Sequence, residues 1–141
     1  ALLLRLFSLP MPVVTASAGH AIAAGALLML ASDTRFGVGG DVKYGLNETA
    51  IGMTLPPFGL QIALCRVSKR HQTQAIIQAS LYNAEGAQRA GFLDEIVGVE
   101  ELERSALAKA TELAELPTQA YAAMKLDVRR DYIDIIAASL S

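Results

Sequence analysis

Residues 12–31 carry the sequence PVVTASAGHAIAAGALLMLA, and this stretch decides the fold class. Its first five residues form a short run with β-branched side chains, which is typical of a buried strand. Gly19 interrupts the run, and the small residues 23–26 then lead into an apolar segment of good helix formers. The stretch therefore predicts a strand, a glycine-containing turn and a buried helix, in that order.

The flanking segments extend this alternation. A helix over residues 1–9 is expected to end at Pro10, and residues 34–38 resemble a second buried strand. Residues 43–52 are typical of a strand followed by a turn. Beyond them the pattern predicts helices over 59–66, 69–81, 84–90, 100–115 and 118–138. Strand–helix alternation followed by helices indicates an α/β core with a helical tail.

The last predicted helix has one apolar face. Its residues recur at intervals of three and four, the spacing of a single helical face, and Pro117 suits the first turn. We expect this face to lie against the core or against a neighbouring subunit. It consists of Tyr121, Met124, Val128, Tyr132 and Ile135.

Composition limits the classes of function. Hydrophobic residues make up 52% of the chain and charged residues 18%, so apolar surface must be buried against a partner or meet a membrane. A net charge of −2 gives no electrostatic case for nucleic acid. The single cysteine, Cys65, excludes an internal disulfide and offers no metal-binding cluster. We therefore expect no nucleic-acid partner and no bound metal.

The N-terminal segment favours neither secretion nor membrane insertion. Residues 16–18 mimic a signal-peptidase site, but Pro10 and Pro12 interrupt the apolar run before it, and no basic segment precedes that run. No window of about 18 residues is free of proline, glycine and charge together, so a membrane-spanning helix is not expected. The chain opens on the apolar sequence LLLRLF, and we expect further residues to precede it in a cytoplasmic protein.

Glu48 is the first candidate for chemistry. It is the one acidic residue between Lys43 and Arg66, and its sequence neighbours are almost all apolar. Because an apolar environment disfavours the charged form of a carboxylate, such a group is suited to proton transfer. The alternative is that Glu48 faces water at a turn, and composition alone does not decide between the two.

The second candidate is the small-residue loop over residues 19–27, GHAIAAGAL. The first N–H groups of a helix have no acceptor within the helix and lie at the positive end of its dipole. A developing oxyanion placed there is stabilised, and small residues let a substrate carbonyl approach the backbone. The alternative is close packing between strand and helix, which also favours alanine and glycine.

Other reactive side chains are expected to be structural. His20 lies beside the loop but has no identifiable carboxylate to orient it, and Cys65 sits in an apolar run typical of a packed thiol. His71 is expected at a solvated helix start. A basic cluster has two interpretations, a phosphate contact or a solvent-facing surface, and its pattern favours the surface; it comprises Arg66, Lys69, Arg70 and His71.

Taken in order, several segments resemble the crotonase superfamily of enoyl-CoA hydratases and isomerases. Residues 12–25 resemble the family's second oxyanion segment, and residues 32–36 resemble the strand that follows it. The sequence LNETAIG over residues 46–52 resembles the catalytic-glutamate segment, in the version found in mitochondrial Δ3,Δ2-enoyl-CoA isomerases. Residues 84–97 are similar to the helix, turn and strand that close the core.

The resemblance assigns roles to four positions. It places the second oxyanion N–H on Ala24, with Gly25 as the neighbouring possibility, and the second catalytic glutamate on Glu48. The first catalytic glutamate of the hydratases falls on Leu27, which cannot transfer a proton. The simple isomerases also carry an apolar residue there. Ala24, Gly25 and Leu27 are thus expected to contact substrate, with Ala24 and Glu48 catalytic.

The resemblance also implies a fold and an activity. The fold is a spiral of ββα units, with residues 1–98 forming the C-terminal part of the core and residues 99–141 a helical tail. The family's N-terminal half, with the first oxyanion N–H, has no counterpart here. The implied function is isomerisation of an acyl-CoA thioester by a homotrimer or hexamer, without a metal or redox cofactor. Alternatives are a hydratase, a hydrolase or a non-catalytic acyl-CoA-binding relative.

Overall fold

A computed structural model describes residues 2–141 and contains six helices and six short strands. The helices are α1 (Leu2–Phe7), α2 (Ala24–Ala31), α3 (Pro57–Arg66), α4 (Ala84–Ala90), α5 (Leu102–Ala114) and α6 (Thr118–Ser139). The strands are β1 (Val14–Ala16), β2 (Ala21–Ile22), β3 (Thr34–Gly37), β4 (Tyr44–Gly45), β5 (Leu81–Tyr82) and β6 (Glu95–Ile96).

The strands form two small sheets that the chain visits alternately. The first sheet has the order β1-β3-β6 and is parallel throughout. In the second, β2 pairs with β4 in parallel and β5 is antiparallel to β4. The chain thus gives one strand to each sheet and then a helix, first as β1-β2-α2 and again as β3-β4-α3. This repeat is the expected spiral of ββα units.

The core lies between the second sheet and helices α1 to α4. Its largest fully buried side chains include Phe7, Tyr44, Ile62 and Phe92. Tyr44 also closes the turn after β3, because its hydroxyl donates to the Val38 carbonyl at 3.0 Å and accepts from the Val38 N–H at 3.2 Å. Satisfying both groups of Val38 allows a phenol to lie in an apolar interior without an unpaired hydroxyl.

The predicted elements agree with the structure except in three places, one of which is strand β2 (Ala21–Ile22), where no strand was predicted. The helix predicted over residues 1–9 ends at Phe7, and residue 1 lies outside the described residues. The predicted helix over 69–81 is wrong: the segment forms a 3-10 turn (Lys69–His71), a π-helical turn (Thr73–Ile77) and then strand β5. Ala79, with φ of 55°, ends the helical conformation.

The apolar face of α6 is only partly buried within this chain: Tyr121 and Tyr132 are half-buried, and contact of the rest with a neighbouring subunit stays a prediction. Met124, Val128 and Ile135 are exposed, and the residues that α6 buries are Lys125, Arg129 and Ile136. The two cations surround Asp33: Lys125 Nζ is 2.8 Å from Asp33 Oδ2, and Arg129 Nη1 is 3.2 Å from Asp33 Oδ1. Buried cations are tolerated when they are paired, and here the pairing decides which face of the helix turns inward.

No helix among residues 2–141 has both the length and the apolar character needed to cross a membrane.

Candidate functional site

The candidate residues Ala24 and Glu48 follow two neighbouring strands. In the parallel pair β2–β4, Ala21 lies opposite Tyr44 and Ile22 opposite Gly45. The pairing continues one step further, because the Ala23 N–H donates to the Gly45 carbonyl at 2.9 Å. Ala24 then begins α2, and Glu48 lies in the turn just after β4. The carboxyl ends of parallel strands lie at the same edge of a sheet. Ala24 and Glu48 therefore both lie at this edge.

The loop before α2 ends in an unusual backbone conformation. Ala23, the residue that caps the helix, has φ of 56° and ψ of −116°, a region that residues with a Cβ rarely occupy. The first hydrogen bond of the helix is donated by Leu27 to the Ala23 carbonyl at 3.0 Å. Consequently the N–H groups of Ala24, Gly25 and Ala26 have no backbone acceptor within residues 2–141, as expected for a first helical turn.

Gly25 lies in open space. A Cβ built at this position would have no heavy atom within 4 Å outside its own chain neighbours. The alternative explanation of the small residues, close packing between strand and helix, therefore does not apply at Gly25. An unobstructed backbone beside three free N–H groups is an arrangement that an oxyanion could approach.

Glu48 has one carboxylate oxygen buried without a partner. The side chain is half-buried, and Oε1 accepts no hydrogen bond from the described part of the chain. The main chain around it is well held, because the Glu48 carbonyl accepts from the N–H groups of Ile51 (3.1 Å) and Met53 (2.9 Å). Burying a carboxylate oxygen without a hydrogen-bond donor is energetically unfavourable. A carboxylate that a well-ordered turn holds in this state is therefore a candidate for proton transfer.

The side chain of Leu27 packs against the start of α3 and makes this part of the candidate site apolar. This side chain is 5% exposed, and a Cβ added to Gly59 would lie 3.1 Å from Leu27 Cδ1 and 3.3 Å from Leu55 Cδ2. The three residues are therefore packed closely together. The position that the family resemblance matches to the first catalytic glutamate of the hydratases is thus occupied by the apolar side chain of Leu27. Glu48 is the one acidic residue between positions 42 and 84.

His20 has a structural role in this chain. Its Nδ1 accepts a hydrogen bond from the Lys43 N–H at 2.8 Å, which ties the start of β2 to the start of β4. This nitrogen is therefore not available as a base. Cys65 is partly buried, and burial raises the pKa of its thiol above the ordinary value although the neighbouring arginines Arg66, Arg129 and Arg35 oppose the shift. It is packed as expected, and its thiolate is disfavoured.

Two expectations about the basic cluster are wrong. Arg66 is only half-exposed, and its guanidinium donates to the carbonyl of Asp33 at 3.1 Å. His71 is half-buried, and its Nδ1 is a buried atom without a partner among residues 2–141. Only Lys69 and Arg70 of this cluster are fully exposed. Across the same described residues, no three His, Cys, Asp or Glu side chains lie close enough together to hold a metal ion.

Sequence reasoning missed Asn47 as a member of the site. Its Oδ1 is buried and without a hydrogen-bond donor among the described residues, like the Oε1 of the adjacent Glu48. An amide beside a candidate acid–base group is a signal that could have been noticed. The two free acceptors at neighbouring positions mark this turn as a surface that can still take up donors.

Four cavities among residues 2–141 lie away from these residues. One of about 460 Å³ lies beside α6 and includes Asp33 and Tyr121 in its lining, and another of about 400 Å³ lies beside β5. Neither is lined by Ala24, Gly25, Leu27 or Glu48. The candidate site is therefore an open face in this chain.

Comparisons with known proteins place this chain in a family. A family model for enoyl-CoA hydratase/isomerase matches residues 1–140. Among curated proteins, a probable enoyl-CoA hydratase from Mycobacterium avium is 33% identical over 123 residues, which is 86% of this chain and 47% of that protein. The chain thus spans about half the length of the curated relatives it matches.

Solved structures give the same assignment at the level of the fold. A Pseudomonas syringae protein of the enoyl-CoA hydratase/isomerase family is similar with a TM-score of 0.93 and 42% identity, over 98% of this chain and 60% of that one. The human mitochondrial Δ3,Δ2-enoyl-CoA isomerase is similar with a TM-score of 0.91 and 25% identity, over 97% of this chain and 54% of that one. The expected crotonase fold is confirmed, and this chain belongs to the enoyl-CoA hydratase/isomerase family.

Proposed function

We propose that the protein containing this chain isomerises enoyl-CoA thioesters, with Glu48 as the proton carrier. The observation that carries the proposal is the pairing of β2 with β4, which brings a first helical turn with free N–H groups to the same sheet edge as a carboxylate with an unpartnered oxygen. Stabilisation of an enolate oxygen and transfer of a proton at carbon are the two tasks that a thioester isomerase needs.

In the proposed reaction, Glu48 removes a proton from one carbon of the substrate and returns it to another. Glu48 removes a proton from C2 of a 3-enoyl thioester, and the electron pair of that C–H bond moves towards the thioester carbonyl, giving a dienolate. The N–H of Ala24, with Gly25 beside it, donates to the developing oxyanion. The dienolate then recovers the proton from Glu48 at C4, so that the double bond lies between C2 and C3. The reaction needs no group besides the protein and the thioester itself.

Hydration of a 2-enoyl thioester is the second candidate function. The curated relatives bear hydratase names, which favours it. Addition of water, however, needs one group to hold and deprotonate the water and another to manage the proton at C2. Leu27 can do neither, and its packing against Gly59 and Leu55 makes that side of the site apolar. The same argument disfavours a hydrolase, because it too must activate water.

The test uses the complete gene product that carries this chain. It is incubated separately with a 3-enoyl-CoA and with the matching 2-enoyl-CoA, and the formation of 2-enoyl and 3-hydroxyacyl products is followed by chromatography. We expect the double-bond shift to be faster than hydration. Faster hydration would mean that another group activates water, and turnover of neither substrate would favour a non-catalytic acyl-CoA-binding protein.

We also propose that the complete protein forms a homotrimer or a hexamer. Large apolar side chains on α5, on α6 and in the loop between them are exposed in the single chain, where they would favour association. They include Leu107, Leu116, Met124, Val128 and Ile135. Sedimentation velocity measures this directly, and a monomer at micromolar concentration would contradict it. A cytoplasmic location stays a prediction.

A further inference from the structure

A polar cavity is lined by residues of β5 and α4, by Lys43 just before β4 and by His71. Its volume is about 400 Å³, and Lys43, Arg89, His71, Tyr82 and Asn83 belong to its lining. No acidic side chain lines it. None of the residues assigned to thioester chemistry lines it either, so it is a separate feature of the molecule.

Tyr82 carries a polar atom that this structure leaves unpaired. The residue is 8% exposed, and its hydroxyl oxygen is buried with no hydrogen-bond partner among residues 2–141. Burial raises the pKa of this hydroxyl above its ordinary value, so the group keeps its proton and can donate at neutral pH. Leaving a buried hydroxyl without a hydrogen bond is unfavourable, and buried polar groups generally have a partner.

His71, which also lines the cavity, has a second buried polar atom without a partner among residues 2–141. This atom is Nδ1, and the ring of His71 lies edge-on to that of Tyr82, with centroids 6.0 Å apart. Asn83 adds a third polar group. Its Oδ1 accepts from the Gly86 N–H at 2.8 Å as the cap of α4, which leaves the amide NH₂ as a donor.

The charge of the cavity has one sign. Lys43 and Arg89 are both exposed cations, and neither forms an ion pair with any residue in positions 2–141. The lining residues thus supply two unpaired cations and several polar groups that can donate hydrogen bonds. A tetrahedral dianion with several acceptor oxygens satisfies such a set, whereas a neutral or cationic ligand does not.

We propose that this cavity binds a phosphate group, held by Lys43 and Arg89 and hydrogen-bonded by Tyr82 and His71. The phosphate can be free or can be carried by a small organic monoester, since the recognition chemistry is the same. The site does not depend on the proposed isomerase activity, because Glu48 and Ala24 are not part of it.

The test measures phosphate binding to the complete gene product and needs no turnover. Sodium phosphate and glycerol 3-phosphate are titrated separately by calorimetry in a phosphate-free buffer, at an ionic strength kept constant with sodium chloride. We expect a saturable event with one site per chain. Replacing Arg89→Gln should weaken binding about tenfold, as expected for the loss of one charge-assisted hydrogen bond. Arg104→Gln, which changes an exposed arginine on α5, should leave it unchanged.

Tyr82→Phe separates a ligand-binding role from a structural one. Because the hydroxyl has no partner in the ligand-free chain, its removal should not lower the melting temperature without phosphate, but it should reduce the phosphate-induced rise. Saturation by both compounds identifies free phosphate as sufficient, and saturation by glycerol 3-phosphate alone identifies an organic monoester. The proposal is overturned if neither compound binds, or if Arg89→Gln and Tyr82→Phe bind as the unmodified protein does.

Discussion

The carboxylate of Asp33 and the ammonium group of Lys125 are 2.8 Å apart, with only 8% and 4% of their side chains exposed. Arg129 lies on the other carboxylate oxygen, and Lys125 also donates to the carbonyls of Leu9 (2.8 Å) and Met11 (2.7 Å). Burial lowers the pKa of Lys125, and Asp33 acts in the opposite direction by favouring its charged form. Asp33 is therefore the anion that allows two cations of α6 to be buried.

Replacing Asp33→Asn should destabilise the protein by about 3–5 kcal/mol, because it leaves two buried cations without a counter-charge. Urea unfolding of the complete protein, followed by circular dichroism, measures the change. The matched control is Asp127→Asn, whose carboxylate pairs with Arg130 on the exposed side of the same helix. That change should stay within about 1 kcal/mol. Similar losses for the two variants would show that the buried pairing contributes little.

The orientation of α6 could not have been predicted from its own sequence. The helix was placed at 118–138 and runs from Thr118 to Ser139, because local spacing and Pro117 indicate its bounds. Which face turns inward depends on Asp33, a residue far away in the chain. Hydrophobic periodicity assigned the core side to Met124 and Val128, whereas the buried cations Lys125 and Arg129 occupy it.

Ala23→Gly should stabilise the protein by about 1 kcal/mol. The backbone of Ala23 is in a region that costs a residue with a Cβ about 1–3 kcal/mol, and glycine avoids that cost while adding entropy to the unfolded chain. Thermal unfolding of the two proteins gives the difference. Ala123→Gly, at an exposed position of α6, is the control and should be destabilising by about 0.5–1 kcal/mol. A loss of stability in Ala23→Gly would mean that the strain at this residue is small.

Glu48→Gln should lower the rate of isomerisation by about 10²–10⁴-fold, the usual effect of losing a positioned acid–base group. The amide keeps the shape of the side chain, so binding of acyl-CoA should be preserved. Steady-state kinetics and calorimetric binding are measured on the same preparations. Glu100→Gln, at an exposed position, serves as the control. Equal turnover in the Glu48→Gln variant and the unmodified protein would assign Glu48 a structural role.

Cys65 should react slowly with iodoacetamide at pH 8. Burial raises the pKa of its thiol, so the thiolate, the reactive form, is a smaller fraction at this pH than in an unfolded chain. The rate should increase as the pH rises towards the raised pKa, and also on unfolding in urea. Mass spectrometry of the peptide containing Cys65 follows the reaction. A folded-state rate equal to that in urea would contradict the shift.

The candidate site could be predicted from sequence in part. Small residues before an apolar helix and a glutamate among apolar neighbours indicated residues 19–27 and Glu48. Strand β2 was missed, because its two residues have no strand pattern of their own and are extended through pairing with β4. The orphaned oxygen of Glu48 and the cavity beside β5 depend on packing between distant segments. No local sequence pattern predicts the unpartnered oxygen or the cavity.

The strand pairing at the site has a consequence for the order of folding. The contact between Lys43 and His20 beside β2 and β4 closes a loop of 23 residues, whereas the contact of Arg129 with the Phe7 carbonyl spans 122. Loop-closure entropy makes the longer closure about 1.5 kcal/mol more costly. We therefore expect the half-site formed by Ala24 and Glu48 to assemble early in folding, with α6 docking afterwards. Loosening α6 should therefore leave Ala24 and Glu48 in position, but it should make the whole chain unfold faster.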